Sequence, residues 1–160
     1  MLDISDILRH NIQSKEIDIN LDIESIQLTY DLIKFEKPIR FIGTIYNDSK
    51  TINVIGNIQI EFKIQCYSCG EDFVFNKEIE FNEMFMQNAT EENYPIASEM
   101  IDLQKAVIDN IILKLPTRFL CKDDCKGICA ICKKNKNYNK CNCNDLQIDP
   151  RFEKLKQLLK

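Results

Sequence analysis

From Lys15 onward apolar and polar residues alternate: Ile17, Ile19, Leu21 and Ile23 are interleaved with Glu16, Asp18, Asn20, Asp22 and Glu24. A period of two turns one set towards a core and the other towards water, the pattern of a half-buried β-strand. After a break at Ser25 the alternation resumes with Ile26, Leu28 and Tyr30, and Leu32, Ile33 and Phe35 follow. Pro38 has no N–H to give and bars a central strand position there. Three further segments share this character: Ile39 to Tyr46, Ile52 to Cys66, and Phe73 to Phe85. Asn47-Asp48-Ser49-Lys50 has turn composition between the first two, and Tyr67-Ser68-Cys69-Gly70-Glu71-Asp72 separates the last two. The expected result is an antiparallel meander of long strands, curled towards a barrel.

Helical periodicity enters in three places. Ser5 is positioned to cap a short helix carrying Ile7, Leu8 and Arg9, and His10, the only histidine, falls at its end as a solvated residue. Asn88 to Glu99 is polar, acidic and interrupted by Pro95, and reads as a loop. A helix over about 101–115 follows, capped by Asp102 or Ser98 and ended by Pro116. Ile101, Leu103, Ala106, Val107, Ile108, Ile111, Ile112, Leu113 and Leu115 make it apolar on most sides, so it belongs across the open face of the sheet. Near the end, Asp149-Pro150 supplies a cap and a first-turn proline, with Phe152, Leu155, Leu158 and Leu159 as a stripe and Lys154, Lys156 and Lys160 elsewhere. The fold class is therefore α+β. A barrel-like antiparallel meander with one packing helix forms a body over 1–120, and a cysteine-rich segment with a short amphipathic helix occupies 121–160.

At 160 residues, 44% hydrophobic and 29% charged, the chain can bury a core of its own. No apolar run approaches the roughly 18 residues of a membrane span. MLDISDILRH lacks the basic flank of a secretory signal, so a cytoplasmic protein with reduced thiols is expected. Charge is split along the chain. Residues 1–113 hold 9 Lys and Arg against 20 Asp and Glu, net −11, whereas 114–160 hold 12 against 5, net +7. An acidic body suits a basic protein, and a basic tail suits a phosphate backbone.

Candidate chemistry is concentrated in Cys121 to Cys143, spaced Cys-x3-Cys-x3-Cys-x2-Cys-x8-Cys-x-Cys, with a further Cys66-x-x-Cys69 pair. Two-residue gaps let both sulfurs face one ion, and eight cysteines make two tetrahedral Zn2+ sites. Two filled sites would add −2 each and still leave the tail near +3. A redox dithiol at Cys66 and Cys69 should open a helix in a βαβ unit, whereas these flanks are strands. Cys129, Cys132, Cys141 and Cys143 form one compact local set, leaving Cys66, Cys69, Cys121 and Cys125 as the other. An interleaved set of Cys66 and Cys69 with Cys129 and Cys132 also satisfies the spacing, and iron–sulfur ligation suits the same residues. No Ser/His/Asp set or phosphate-cradling glycine loop is present, and no small-molecule substrate is expected.

In these residues the chain resembles the YceD family, whose bacterial members are described as large ribosomal RNA subunit accumulation proteins. The resemblance covers most of the chain. It rests on Cys66-x-x-Cys69-Gly70 after a β-rich segment, Leu115-Pro116, Asp124-Cys125-Lys126-Gly127-Ile128-Cys129-x-x-Cys132, Cys141-x-Cys143 and Asp149-Pro150-Arg151-Phe152. Lys133 stands where many relatives carry glycine, and Lys136 where an apolar residue is usual. Some relatives lack most of the cysteine stretch, which implies that metal stabilises this version of the fold and is not the family's shared function.

The resemblance implies a non-enzymatic factor for large-subunit biogenesis, acting through ribosomal RNA or a basic large-subunit ribosomal protein or assembly factor. Lys122, Lys126, Lys133, Lys134, Lys136 and Lys140 are the candidate RNA contacts. A rival reading is a redox- or zinc-responsive switch in which the thiolates report oxidant or metal level.

Overall fold

The structure is a computed structural model and describes residues 1–28, 31–48 and 51–143. Strands β2 (Ser14–Leu21), β3 (Ser25–Gln27), β4 (Leu32–Lys34), β5 (Ile39–Asp48), β6 (Thr51–Gln65) and β7 (Asp72–Met86) form where the period-two pattern runs, and three short strands, β1 (Leu2–Asp3), β8 (Tyr94–Ala97) and β9 (Met100–Ile101), form outside it. Two helices, α1 (Ser5–Arg9) and α2 (Leu103–Lys114), complete the described elements. One curled seven-stranded sheet has the order β1-β9-β8-β7-β6-β5-β2, and β3 and β4 make a separate ribbon.

The long hairpin β6–β7 is the spine, pairing without interruption from Thr51↔Met86 to Gln65↔Asp72. Its inward positions, Ile52, Val54, Ile58, Ile60 and Phe62 on β6 and Ile79, Phe81 and Phe85 on β7, are buried. Alternation along each strand makes this possible, because a slip of one residue would turn every one of them into water. Helix α2 covers that face with Leu103, Ala106, Val107, Asn110 and Ile111, one stripe at helical spacing. Leu113 on its other side is 82% exposed. The buried Asn110 is satisfied: its amide donates to Glu83 Oε1 at 2.7 Å and to the Ala106 carbonyl at 3.1 Å.

Four expectations are corrected. Ser5 is not the cap of α1; it is the first helical residue, and its N–H donates to the Asp3 carboxylate at 2.8 Å. Residues 88–99 are not wholly loop. Tyr94–Ala97 forms β8, because Tyr94 packs on Phe85 at 5.4 Å and donates its hydroxyl to Asp109 at 3.1 Å, contacts that outweigh the signal of Pro95. The sheet is consequently mixed and not purely antiparallel, since β8 pairs parallel to β7 through Phe85↔Tyr94 and Met86↔Pro95. Ile101 belongs to β9 and not to the helix; it pairs with Leu2 and Ile96, and Asp102 alone caps α2, accepting from the Lys105 N–H at 3.1 Å.

Ser98 and Glu99, both at positive φ (52° and 63°), make the two-residue turn between β8 and β9. That geometry normally selects Asn-Gly, so the sequence carried no hairpin signal. Tyr30, the Ser49-Lys50 part of the expected turn, and the terminal helix with Phe152, Leu155, Leu158 and Leu159 lie outside the described residues.

Candidate metal centre

Cys66 and Cys69 sit on the turn at the end of the β6–β7 hairpin, and the chain leaving α2 is drawn against it by one aromatic side chain. Phe119 is 1% exposed and meets Phe62, Phe75 and Tyr67 edge-on, with ring centroids 5.7, 5.2 and 5.9 Å away. Burying such a ring stabilises by roughly 1.5–3 kcal/mol. The Phe119 carbonyl also accepts the Tyr67 N–H at 2.9 Å. Two residues further on, the Cys121 sulfur lies 3.7 Å from that of Cys69, and Cys125 lies 3.8 Å from Cys66.

Cys66, Cys69, Cys121 and Cys125 thus form one set with all sulfurs within 4.8 Å of one another, and Cys129, Cys132, Cys141 and Cys143 form a second. Sulfurs about 2.3 Å from a tetrahedral Zn2+ are about 3.8 Å apart. The donor sets therefore fit an ion of that size and softness.

The two Cys-x-x-Cys turns are built alike. In the first, the Cys66 N–H donates to the Glu71 carbonyl at 2.8 Å and the Gly70 N–H to the Cys66 carbonyl at 2.9 Å. In the second, the Cys129 N–H donates to the Lys134 carbonyl at 2.9 Å and the Lys133 N–H to the Cys129 carbonyl at 2.9 Å. The residue after the second cysteine is left-handed in both, Gly70 at φ 74° and Lys133 at φ 59°. Lys133 thus adopts the conformation that a glycine would adopt without strain.

Such turns aim N–H groups at sulfur. Burial works against ionisation of Cys66, but hydrogen bonds from the backbone of Cys121, Cys69 and Ser68 bring its thiol down to about 6. Bonds from the backbone of Cys132 and Ile131 bring Cys129 down to about 7. In the opposite direction, burial and then contact with the Cys69 and Cys125 sulfurs push Cys121 up to about 12. Contact with Cys132, followed by burial, pushes Cys143 up to about 12. Each set holds at least one sulfur made acidic and one made reluctant to ionise, because several negative sulfurs at this spacing repel unless a cation sits among them.

The tail clasps the hairpin tip beyond the sulfurs as well. The Ile128 N–H donates to the Ser68 carbonyl at 3.1 Å, and the Tyr138 hydroxyl to Glu71 Oε2 at 3.1 Å. Lys122, Lys126, Lys133, Lys134 and Lys140 are exposed around the two sets, and Lys136 is half-buried with its N–H on the Gly127 carbonyl at 2.8 Å. Lys122 lies 3.8 Å from Asp124.

Sequence reasoning did not single out Phe119 or Asn137. The first was an isolated aromatic between Pro116 and Cys121, and the second one of several asparagines in a polar loop. Asn137 donates to the Cys125 sulfur at 3.4 Å and holds that thiol below its ordinary value, with the Gly127 backbone second. In the same loop Asn135 Nδ2 is buried without a hydrogen-bond partner among the described residues.

A family model described as large ribosomal RNA subunit accumulation protein YceD matches residues 54–159, which is more than half of the sequence and takes in both cysteine sets. The chain belongs to the YceD family. Among curated relatives, an uncharacterised protein of Mycobacterium leprae is 25% identical over 142 residues, covering 84% of this chain and 65% of that protein. An uncharacterised protein of Mycobacterium tuberculosis is 28% identical over 119 residues, covering 69% of this chain and 57% of the relative. The YceD chain thus spans 57–65% of the length of these relatives. No solved structure matches it. Among its described residues no helix is long and apolar enough to cross a membrane.

Proposed function

We propose that this YceD-family chain is a non-enzymatic, cytoplasmic factor supporting accumulation of large-subunit ribosomal RNA, in which one Zn2+ ties the start of a basic tail (121–160) to an acidic body (1–120) and a second closes a loop within that tail. The observation that carries this reading is the convergence of eight thiols into two four-sulfur sets, one joining the hairpin tip to the chain after α2 and one within 129–143, both inside the segment matched by the family model. Four sulfurs per ion leave no open coordination position, as in structural and not catalytic zinc sites. When bound, the ion supplies charge neutralisation and a cross-link. The chain's own residues supply everything else.

Around those sets the exposed lysines would contact ribosomal RNA phosphates. On the body, the outer face of the sheet offers Ile42, Tyr46, Ile55 and Met84, with Ile55 46% exposed. Strand register places Glu16 of β2 along one side of this strip, beside Asp18, which is paired with Arg40 at 2.7 Å, and Glu78 and Glu80 of β7 along the other. An apolar strip between acidic margins suits a basic ribosomal protein or assembly partner. The tail's part is tested by changing Lys122, Lys126, Lys133, Lys134, Lys136 and Lys140 to glutamine and measuring binding of large-subunit ribosomal RNA fragments across a salt series. The expected result is weaker binding with a shallower salt slope; unchanged affinity would remove RNA contact from the reading.

A further inference from the structure

Asn137 lies in the loop between Cys132 and Cys141, which the second sulfur set closes at both ends. Its side chain nevertheless serves the first set. The Asn137 Oδ1 accepts the Lys126 N–H at 2.9 Å, and its Nδ2 donates to the Cys125 sulfur at 3.4 Å. The Asn137 N–H in turn donates to Asn135 Oδ1 at 2.9 Å. Because a backbone N–H can only meet the amide oxygen, the amide orientation is fixed, and the nitrogen must face sulfur. Beside it, the Lys136 N–H holds the Gly127 carbonyl at 2.8 Å and Ile128 bridges to Asn135, so the loop is laid directly along the segment joining the two sets.

A donor to a ligating sulfur orients the ligand and disperses its charge, and loss of such a partner costs about 10–100-fold in metal affinity. The loop that presents this donor is ordered by ligands on either side of it, Cys132 before and Cys141 after. We infer that Asn137 is a positioning residue that couples the two sites: an ion held by Cys129, Cys132, Cys141 and Cys143 fixes the loop and so presents the amide to Cys125, tightening the site of Cys66, Cys69, Cys121 and Cys125. Coupling is reciprocal, so an occupied first site tightens the second by the same factor. The inference rests on the proposal that both sets bind metal.

The test titrates the full-length, metal-free chain with Co2+, whose thiolate absorption counts the ions bound, assigns the first site from Cys141→Ser/Cys143→Ser, in which only that set is complete, and repeats it with Zn2+ in competition. In Asn137→Asp the acceptor for the Lys126 N–H is kept and the donor to sulfur is lost. Asn137→Leu removes both and cannot ligate. The expected result is a first-site affinity lowered about 10–100-fold in Asn137→Asp, with the second site unchanged while the first is empty and its tightening by an occupied first site lost. The double variant Cys141→Ser/Cys143→Ser should lower it similarly, and combining it with Asn137→Asp should add little further. Two ions bound with first-site affinity within twofold of wild type in both Asn137 variants would overturn the coupling alone, as would losses that add in full. Failure of the wild-type chain to bind Co2+ or Zn2+ would overturn the metal reading as well. A purely structural role would instead shift the urea midpoint of the metal-free protein, which Asn137→Asp should leave unchanged.

Discussion

Gly127 and Gly70 offer a matched pair of substitutions for testing how the tail meets the hairpin. Both are left-handed, at φ 66° and 74°. A Cβ at Gly70 would meet nothing within 4 Å, whereas one at Gly127 would lie 2.9 Å from the Ser68 carbonyl oxygen. Alanine at Gly70 therefore isolates the conformational term. The left-handed penalty of about 1–2 kcal/mol, less the roughly 0.5–1 kcal/mol that glycine loses in chain entropy, leaves about 1 kcal/mol of destabilisation. Gly127→Ala incurs the same term and must also displace the Ser68 carbonyl, which accepts the Ile128 N–H at 3.1 Å. Losing that bond costs about 1 kcal/mol, and backbone overpacking typically adds about 1–3 kcal/mol. Gly127→Ala should thus be the more damaging by about 2 kcal/mol or more. Urea denaturation of wild type and both variants at fixed free Zn2+ measures the difference. Equal destabilisation would refute the claim that the tail is seated on the hairpin tip at Ser68.

At Lys133, φ 59° in the second Cys-x-x-Cys turn, Lys133→Gly should stabilise the chain by about 0.5–1 kcal/mol, for the same terms with reversed sign; an unchanged or lowered denaturation midpoint would count against the left-handed assignment. Metal uptake should strengthen with pH. Cys121 and Cys143, pushed up to about 12, stay protonated at neutral pH and must lose their protons to ligate, so each proton released raises apparent affinity about tenfold per pH unit. Zn2+ affinities measured by competition between about pH 6 and 8 should rise accordingly; a flat profile would contradict the protonation states drawn from the metal-free geometry.

Local patterns were enough to read several parts of this chain. Period-two alternation marks β2 and the β6–β7 hairpin because a strand's two faces are set by backbone pleating alone. An apolar run ended by Pro116 marks α2, with Asp102 and Ser98 both open as its cap, and Cys66-x-x-Cys69 and Cys129-x-x-Cys132 each read as a turn whose sulfurs face one way. The family resemblance drew on the same local strings, taken in order.

What lies between distant segments was decided by tertiary structure. Tyr94–Ala97 became a strand because Phe85 and Asp109 were there to receive Tyr94, and that partnership outweighed Pro95. Lys133 took a glycine's conformation because hydrogen bonds at both ends of its turn hold the backbone there. Four sulfurs from either side of α2 meet because Phe119 seats the returning chain among Phe62, Phe75 and Tyr67, and Asn137 reaches Cys125 because the loop is laid across Gly127. Spacing along a chain specifies which residues can share a turn. Only packing and hydrogen bonding between remote segments specify which turns share a site.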